Sequence, residues 1–468
     1  MFCGSRDDGL EKLRSGLKLS TTEQLSLIAA LSFPAILAQL SGIIMSYIDA
    51  SMVGRLGAVN SASIGLMSST LWLFWGISRA ATSGFSIQIA QLIGAKRDSE
   101  ARNTAKLGLL SALLLSLVVT AIGLAISRDL PIWLGAEGEV ARGATTYIFI
   151  YMLSMPFFQM MDSATAFIQA SGNIKVPSTL SVLMCIEDVL FNFFLIFPTR
   201  KIGPITVPGA GLGVAGAALG TALSVLLTAL LLLLYLFFGS NKLKARRGER
   251  LAIRRHALAS ALKIGVPVLL ERTAMNGAQL VCTSIVAPLG TVAIAANSFA
   301  LTAESLCYMP GFGIREAAGT ITGQSIGAQR YDLARRLGWM CTLFGMAVMG
   351  ISGVLLFIFC PAMLSLLTTD QAVRELAVQA LRLECYAEPF YGASIVAWGV
   401  FRGAGFVLVP TLMIFVSMWF IRIPLMLFFA GRYGLGGFWF AMGLELCARG
   451  TIFLIMLAGR RWQRKAIA

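Results

Sequence analysis

The residues with chemistry to offer in this sequence are acids set inside long apolar runs. An ionisable side chain at the centre of a membrane-length helix costs roughly 2.5–3.5 kcal/mol on insertion scales, so each one implies a task. Asp49 stands late in the run 25–50. The positions that share its helical face, Ser46, Met45, Gly42 and Ala38, are small or flexible and leave room beside it. Asp188 and Asn192 are four residues apart in the run 175–198 and also share a face. Oxygen ligands from two carboxylates and an amide suit Na⁺, while two acids at close range suit a shared proton. Glu187 lies about 100° round the helix from Asp188 and faces elsewhere.

The second half of the chain carries its own acids. Glu271 follows Pro267, with Arg272 beside it as a candidate neutralising partner. Glu384 and Glu388 are again four apart, and Tyr391 continues their face. Glu304, Arg315 and Glu316 fall in the run 293–322 with no partner legible from spacing. Glu445 and Arg449, an i,i+4 pair, read as a structural ion pair.

Enzyme chemistry has little to work with. The one histidine, His256, follows Arg254 and Arg255 in a connecting segment. The eight cysteines are scattered singly, several inside apolar runs (Cys185, Cys282, Cys341, Cys360), without CxxC or metal spacing. They read as small buried hydrophobes, and no cofactor is expected beyond a coupling ion, Na⁺ or H⁺.

The elements that must position these acids are membrane helices. Of 468 residues 57% are hydrophobic and 13% charged, about half the charge of an ordinary soluble chain. Residues 212–238 carry no charge over a length that spans a bilayer core. Glycine, proline and charge punctuation divides the chain into twelve runs: 25–50, 61–89, 105–127, 142–169, 175–198, 212–239, 258–286, 293–322, 338–360, 374–401, 408–431 and 436–459. The basic residues cluster in alternate connections, with Lys96, Arg97, Arg102 and Lys106 after the second run and a series from Lys242 to Arg255 after the sixth. Arg460, Arg461, Arg464 and Lys465 follow the last run. That pattern puts both termini in the cytoplasm and accounts for the net charge of +15 without a nucleic-acid partner. Residues 1–20 lack the apolar core of a signal peptide. Abundant Phe and Met fit lipid-facing positions, with Phe157, Phe158 and Met161 as candidates for lining a cavity.

The two halves repeat each other. At an offset of 233 residues Pro34 meets Pro267, Leu56-Gly57 meets Leu289-Gly290, and Pro156 meets Pro389. Gln91, Gly94, Ala95 and Arg97 meet Gln324, Gly327, Ala328 and Arg330. Later, Gly211-Leu212-Gly213 reappears as Gly434-Leu435-Gly436 after a ten-residue deletion. Six helices per copy, an even number, make these parallel repeats about an axis along the membrane normal, as in transporters that work by alternating access. The organisation read from this is an N-terminal segment 1–24, a six-helix lobe 25–239, a basic linker 240–257, a second lobe 258–459 and a basic tail 460–468.

At this point the residues resemble a family. Pro34 with Tyr47-Ile48-Asp49-Ala50-Ser51-Met52-Val53-Gly54-Arg55-Leu56-Gly57 is similar to the first-helix signature of multidrug and toxic compound extrusion (MATE) transporters. Val286-Ala287-Pro288-Leu289-Gly290, Gly323-Gln324-Ser325-Ile326-Gly327-Ala328-Gln329-Arg330 and Gly213-Val214-Ala215-Gly216-Ala217-Ala218 fit its other motifs, and the likeness spans the chain. The resemblance implies two six-helix bundles facing each other in a V, and outward transport of diverse, often cationic compounds against inward Na⁺ or H⁺. It makes Asp49 the leading ion or proton site, with Asp188 and Asn192 as its partners. One branch of the family has Asn first and Asp second where this chain has Asp188 and Asn192, so the geometry of that site does not carry over directly. Glu271 matches an embedded Glu of the NorM-like branch. That branch also has an aspartate nearer Tyr391 than Glu384 or Glu388. These four are expected to serve substrate or a second ion. A monomer in the inner membrane, with small organic substrates, is expected. The alternative is a flippase of lipid-linked oligosaccharide or peptidoglycan precursors from the same superfamily, which would need several mid-membrane bases where this chain has Arg79, Arg272 and Arg315.

Overall fold

The computed structural model describes residues 3–464 except 16, 18, 203, 204, 247, 248, 250 and 251. Arg247 and Arg250 of the basic linker and Lys465 of the tail therefore lie outside the described residues. The described residues are all-α apart from one hairpin, and the long helices follow the apolar runs. They are α2 (Thr21–Gly54), α3 (Ala58–Gly94), α4 (Asp98–Ile126), α6 (Gly138–Ala170), α7 (Lys175–Leu195) and α8 (Val214–Leu234) in the first half. The second half has α9 (Arg255–Val286), α10 (Thr291–Gly327), α11 (Tyr331–Leu367), α12 (Gln371–Glu384) with α13 (Glu388–Gly403), then α14 (Leu408–Val416) and α15 (Ile423–Ala458). Short α1 (Cys3–Ser15) precedes the first of them, and α5 (Leu130–Trp133) caps the turn into α6.

Departures from the apolar runs have local causes. The fifth helix stops at Leu195 and the chain turns into a hairpin, β1 (Pro198–Ile202) against β2 (Ile205–Ala210). Pro198 takes the first strand position, where its missing N–H costs no ladder bond. The tenth run is two helices joined by a 3₁₀ turn at Cys385–Ala387. The break sits just before Pro389, which lacks the N–H that would bond the Cys385 carbonyl four residues back, and the Glu388 N–H takes that carbonyl instead. Between α14 and α15 the chain loosens into a π-helical turn, Ser417–Arg422. Gly434, inside α15, takes a positive φ of 60° and divides the last two runs.

The repeat is written in the backbone as well. Gly57 and Gly290 have φ of 96° and 99°, and Gly172 and Gly405 have 98° and 77°. The two described non-glycine residues with positive φ, Lys96 (59°) and Gln329 (58°), occupy matching places in the two copies of the loop motif.

The chain forms two compact units, one of residues 1–40, 90–97 and 266–468, the other of 41–89 and 98–265. The divisions fall inside α2, α3 and α9 rather than in the basic linker. Close helix contacts explain this. In the first unit a Cβ on Gly313 of α10 would lie 2.6 Å from the Ile36 nitrogen of α2. In the second, one on Gly84 of α3 would lie 2.3 Å from the Ala261 carbonyl of α9. Also in the first unit, the two loop-motif copies touch reciprocally. A Cβ on Gly94 would fall 2.1 Å from the Gln324 carbonyl, and one on Gly327 would fall 1.9 Å from that of Gln91. Helix α1 docks in that unit with Leu10 and Leu13 buried, and Arg330 donates to the Leu13 and Leu17 carbonyls at 3.1 and 2.9 Å.

Candidate functional site

In the unit of residues 41–89 and 98–265 the acids singled out by spacing come together. Asn192 Nδ2 donates to Asp49 Oδ1 and to Asp188 Oδ2, each at 3.0 Å. The two carboxylates are thus bridged by one amide group. Asp188 and Asn192 are buried, and Ser224 Oγ of α8 donates to the other Asp188 oxygen at 3.3 Å. The Asn192 side-chain oxygen Oδ1 has no hydrogen-bond partner and faces α8, where a Cβ on Gly220 would lie 2.1 Å from it. Gly216, one turn earlier, is pressed against the Leu195 carbonyl, where a Cβ would lie 2.5 Å from its oxygen. Glycines four residues apart let α7 and α8 approach until side chain meets backbone. Glu187, half-buried, is not part of the bridge, and its Oε2 has no partner.

The same unit holds an aromatic cluster. Tyr147 stacks near Tyr151 with centroids 6.1 Å apart, and Tyr151 lies 4.8 Å from Phe158. The Trp75 indole donates to the Tyr151 hydroxyl at 2.6 Å. Phe158 and Met161 belong to this cluster, whereas Phe157 is exposed on another side of α6. Arg79 finds Asp162 at 3.6 Å in the same unit.

In the other unit the acids sort into three settings. Glu445 is fully buried and fully paired, with Arg422 at 2.6 Å, Arg449 at 3.3 Å and the Ser417 hydroxyl. The i,i+4 pair read from spacing therefore supplies two members of a triad, since Arg422 reaches Glu445 from the π-helical turn. Glu316 holds Arg315 at 2.9 Å and Arg402 at 3.6 Å, while the Arg315 guanidinium lies over the Phe312 and Trp398 rings. Glu271 is buried, with an Oε2 that has no partner. Glu384 and Glu388 are wholly buried, and the four carboxylate oxygens between them have no hydrogen-bond partner. Glu304 joins these two, which spacing alone had not indicated. Tyr391, one turn along α13, lies against Tyr308 and under the Arg449 guanidinium.

Spacing identified the bridged acids but not Ser224 or Gly220. The small-residue run Gly216-Ala217-Ala218-Leu219-Gly220 was the signal for a close partner helix. Nothing in the sequence connected Glu304 to residues eighty positions away.

A family model, MatE, matches the chain twice, over residues 34–194 and 267–428, starting at the two prolines that the repeat superimposes. The chain belongs to the MatE family. It is a membrane transporter, not an enzyme, built as two six-helix halves. A probable multidrug resistance protein NorM from Thermotoga maritima is 24% identical over 442 residues, covering 93% of each chain. Another from Halalkalibacterium halodurans is 25% identical over 450 residues, covering 95% of this chain and 96% of its own. Among solved structures, a MOP-superfamily transporter from Pyrococcus furiosus superimposes with a TM-score of 0.87 at 19% identity, covering 96% of this chain and 97% of its own. The Vibrio cholerae MATE transporter VcmN does so at 0.85 and 16%, covering 97% of each. These structures share the MatE fold.

Proposed function

We propose that this MatE-family chain is a secondary active multidrug exporter. It expels small organic, often cationic, compounds while Na⁺ or H⁺ enters through Asp49, Asp188 and Asn192. The observation that carries this reading is the single Asn192 amide spanning two carboxylates from α2 and α7. A cation or a proton arriving there competes for the same oxygens, and the three groups must rearrange to admit it. Helix α2 has residues in both compact units, so a change at Asp49 acts on an element common to both. Glu271, Glu384, Glu388 and Tyr391 serve substrate or a second ion in this scheme. The protein sits in the inner membrane as a monomer with both termini cytoplasmic, and residues 25–239 and 258–459 act as the rocking lobes.

The relatives named as multidrug resistance proteins support export. A flippase for pyrophosphate-linked lipids would need bases available to that headgroup. Among those the sequence offered, Arg315 is buried against Glu316 at 2.9 Å.

The test is efflux of a cationic dye from proteoliposomes with Na⁺ and pH gradients imposed independently. One gradient should drive efflux, and Asp49→Asn should abolish it at normal reconstitution. Gradient-independent efflux, or undiminished export by Asp49→Asn, would remove the coupling role.

A further inference from the structure

Three carboxylates converge in the unit of residues 1–40, 90–97 and 266–468, apart from the paired acids and from Glu271. Glu304 of α10, Glu384 at the end of α12 and Glu388 at the start of α13 each place a carboxylate oxygen within 4.8 Å of the others. Their exposures are 5%, 0% and 0%. The convergence depends on the 3₁₀ turn at Cys385–Ala387, which lets the last residue of α12 and the first of α13 face one point. It depends as well on Gly353 of α11, where a Cβ would come 3.0 Å from the Glu388 Cβ and from the Cys385 carbonyl.

The same unit shows how this protein neutralises a buried acid that has only a structural task. Glu445 has two arginines and a hydroxyl. Glu384 and Glu388 have no hydrogen-bond partner on any carboxylate oxygen, and the nearby Arg422 is committed to Glu445 at 2.6 Å. Leaving desolvated acids charged and without partners costs several kcal/mol, which protons or a cation between them relieves. A compact cation does so while using the oxygens of all three as ligands. A monovalent ion would leave two of three negative charges uncompensated in a dry interior, whereas a divalent ion leaves one, which a proton or the field of Arg422 offsets. Carboxylate oxygens are the ligands of hard divalent cations.

We propose that Glu304, Glu384 and Glu388 form a binding site for a hard divalent cation of the Mn²⁺ or Ca²⁺ class. This deepens the reading of Glu384 and Glu388 as a second ion site and rests on it, but binding in detergent is measured without transport.

The probe is Mn²⁺ added to tag-free, chelator-treated full-length protein, with free Mn²⁺ read by its EPR signal. The wild type should remove one equivalent, and Mn²⁺ should raise its thermal midpoint. Glu384→Gln, Glu388→Gln and Glu304→Gln should each weaken uptake at least tenfold and abolish the thermal shift, whereas Glu139→Gln, at an exposed acid of the other unit, should bind normally. Glu384→Asp, which keeps charge and shortens the arm, should weaken uptake with an unchanged elution profile, so loss of folding is not mistaken for loss of a ligand. No uptake by the wild type, uptake undiminished in the three glutamine variants of the cluster, or uptake lost in Glu139→Gln would each overturn the site. Uptake of protons without Mn²⁺ would also overturn it. Failure of dye efflux with Mn²⁺ binding intact would count against the transport reading alone.

Discussion

Gly220→Ala tests whether the amide bridge matters to transport, because the change touches no acid. The added Cβ would lie 2.1 Å from Asn192 Oδ1 and 3.0 Å from its Cγ, where ordinary van der Waals contact begins at 3.4 Å. The Asn192 backbone nitrogen is only 3.1 Å away, so the helix has little room to slide and the amide must swing aside by more than an ångström. Both donations from Nδ2 start at 3.0 Å. A displacement of that size carries them beyond hydrogen-bond range. A bond to a charged acceptor is worth roughly 1.5–3 kcal/mol, and about 1.4 kcal/mol is a factor of ten. Dye efflux should therefore fall by at least about tenfold through one bond alone, while overpacking lowers stability by about 1–3 kcal/mol. Gly65→Ala, at a helical glycine with nothing within 4 Å, is the control for a generic effect of the substitution. The sharper assay is a double-mutant cycle. If the damage passes through the amide, Gly220→Ala should add almost nothing to Asn192→Ala, which removes the colliding atoms. Wild-type efflux with unchanged ion dependence in Gly220→Ala, or full additivity with Asn192→Ala, would refute the reasoning.

Glu445→Gln should destabilise the purified protein by roughly 3–5 kcal/mol, because it leaves Arg422 and Arg449 buried without their shared acid. A thermal midpoint equal to that of Glu384→Gln, which strands no arginine, would contradict this. In the basic linker, Arg102 bonds the Glu249 carboxyl at 2.8 Å and, with Lys106, holds it below the usual carboxylate range. A lowered value means the tie is complete above the ordinary range and is lost only as pH falls through the depressed one. Hydrogen exchange at the Ala252 amide, which donates to Asn103 at 2.8 Å, should thus be equally protected at pH 5 and pH 7 after correction for intrinsic rates. Glu249→Gln should raise it at both.

The architecture was legible because membranes enforce it. Twelve apolar runs, the alternation of Lys and Arg, and prolines and glycines recurring at one offset left little choice of fold. The Asp49, Asp188 and Asn192 meeting was legible for the same reason, since depth in a membrane helix can be counted in residues. What escaped was governed by contact between helices. Glu304 joins Glu384 and Glu388 only because a 3₁₀ turn redirects the chain at Cys385, and Arg422 reaches Glu445 only from a π-helical turn. Neither irregularity has a periodic signature. The hairpin after α7 was hidden by its position at the end of an apolar run, although Pro198 marked the place.

The reciprocal contact between the loop motifs has the form of a twofold seam inside one chain. Gly94 against Gln324 and Gly327 against Gln91 are the paired touches that two identical subunits make across a twofold axis. In a homodimer every substitution strikes both touches at once, and no side chain at such a seam can differ from its mate. One polypeptide encodes the two touches separately. Gln91 donates to the Gly403 carbonyl at 3.1 Å, while its counterpart Gln324 accepts from Arg14 at 3.0 Å. The skeleton stays symmetric while the side chains differ, so that one half holds an amide-bridged pair of acids and the other a knot of three.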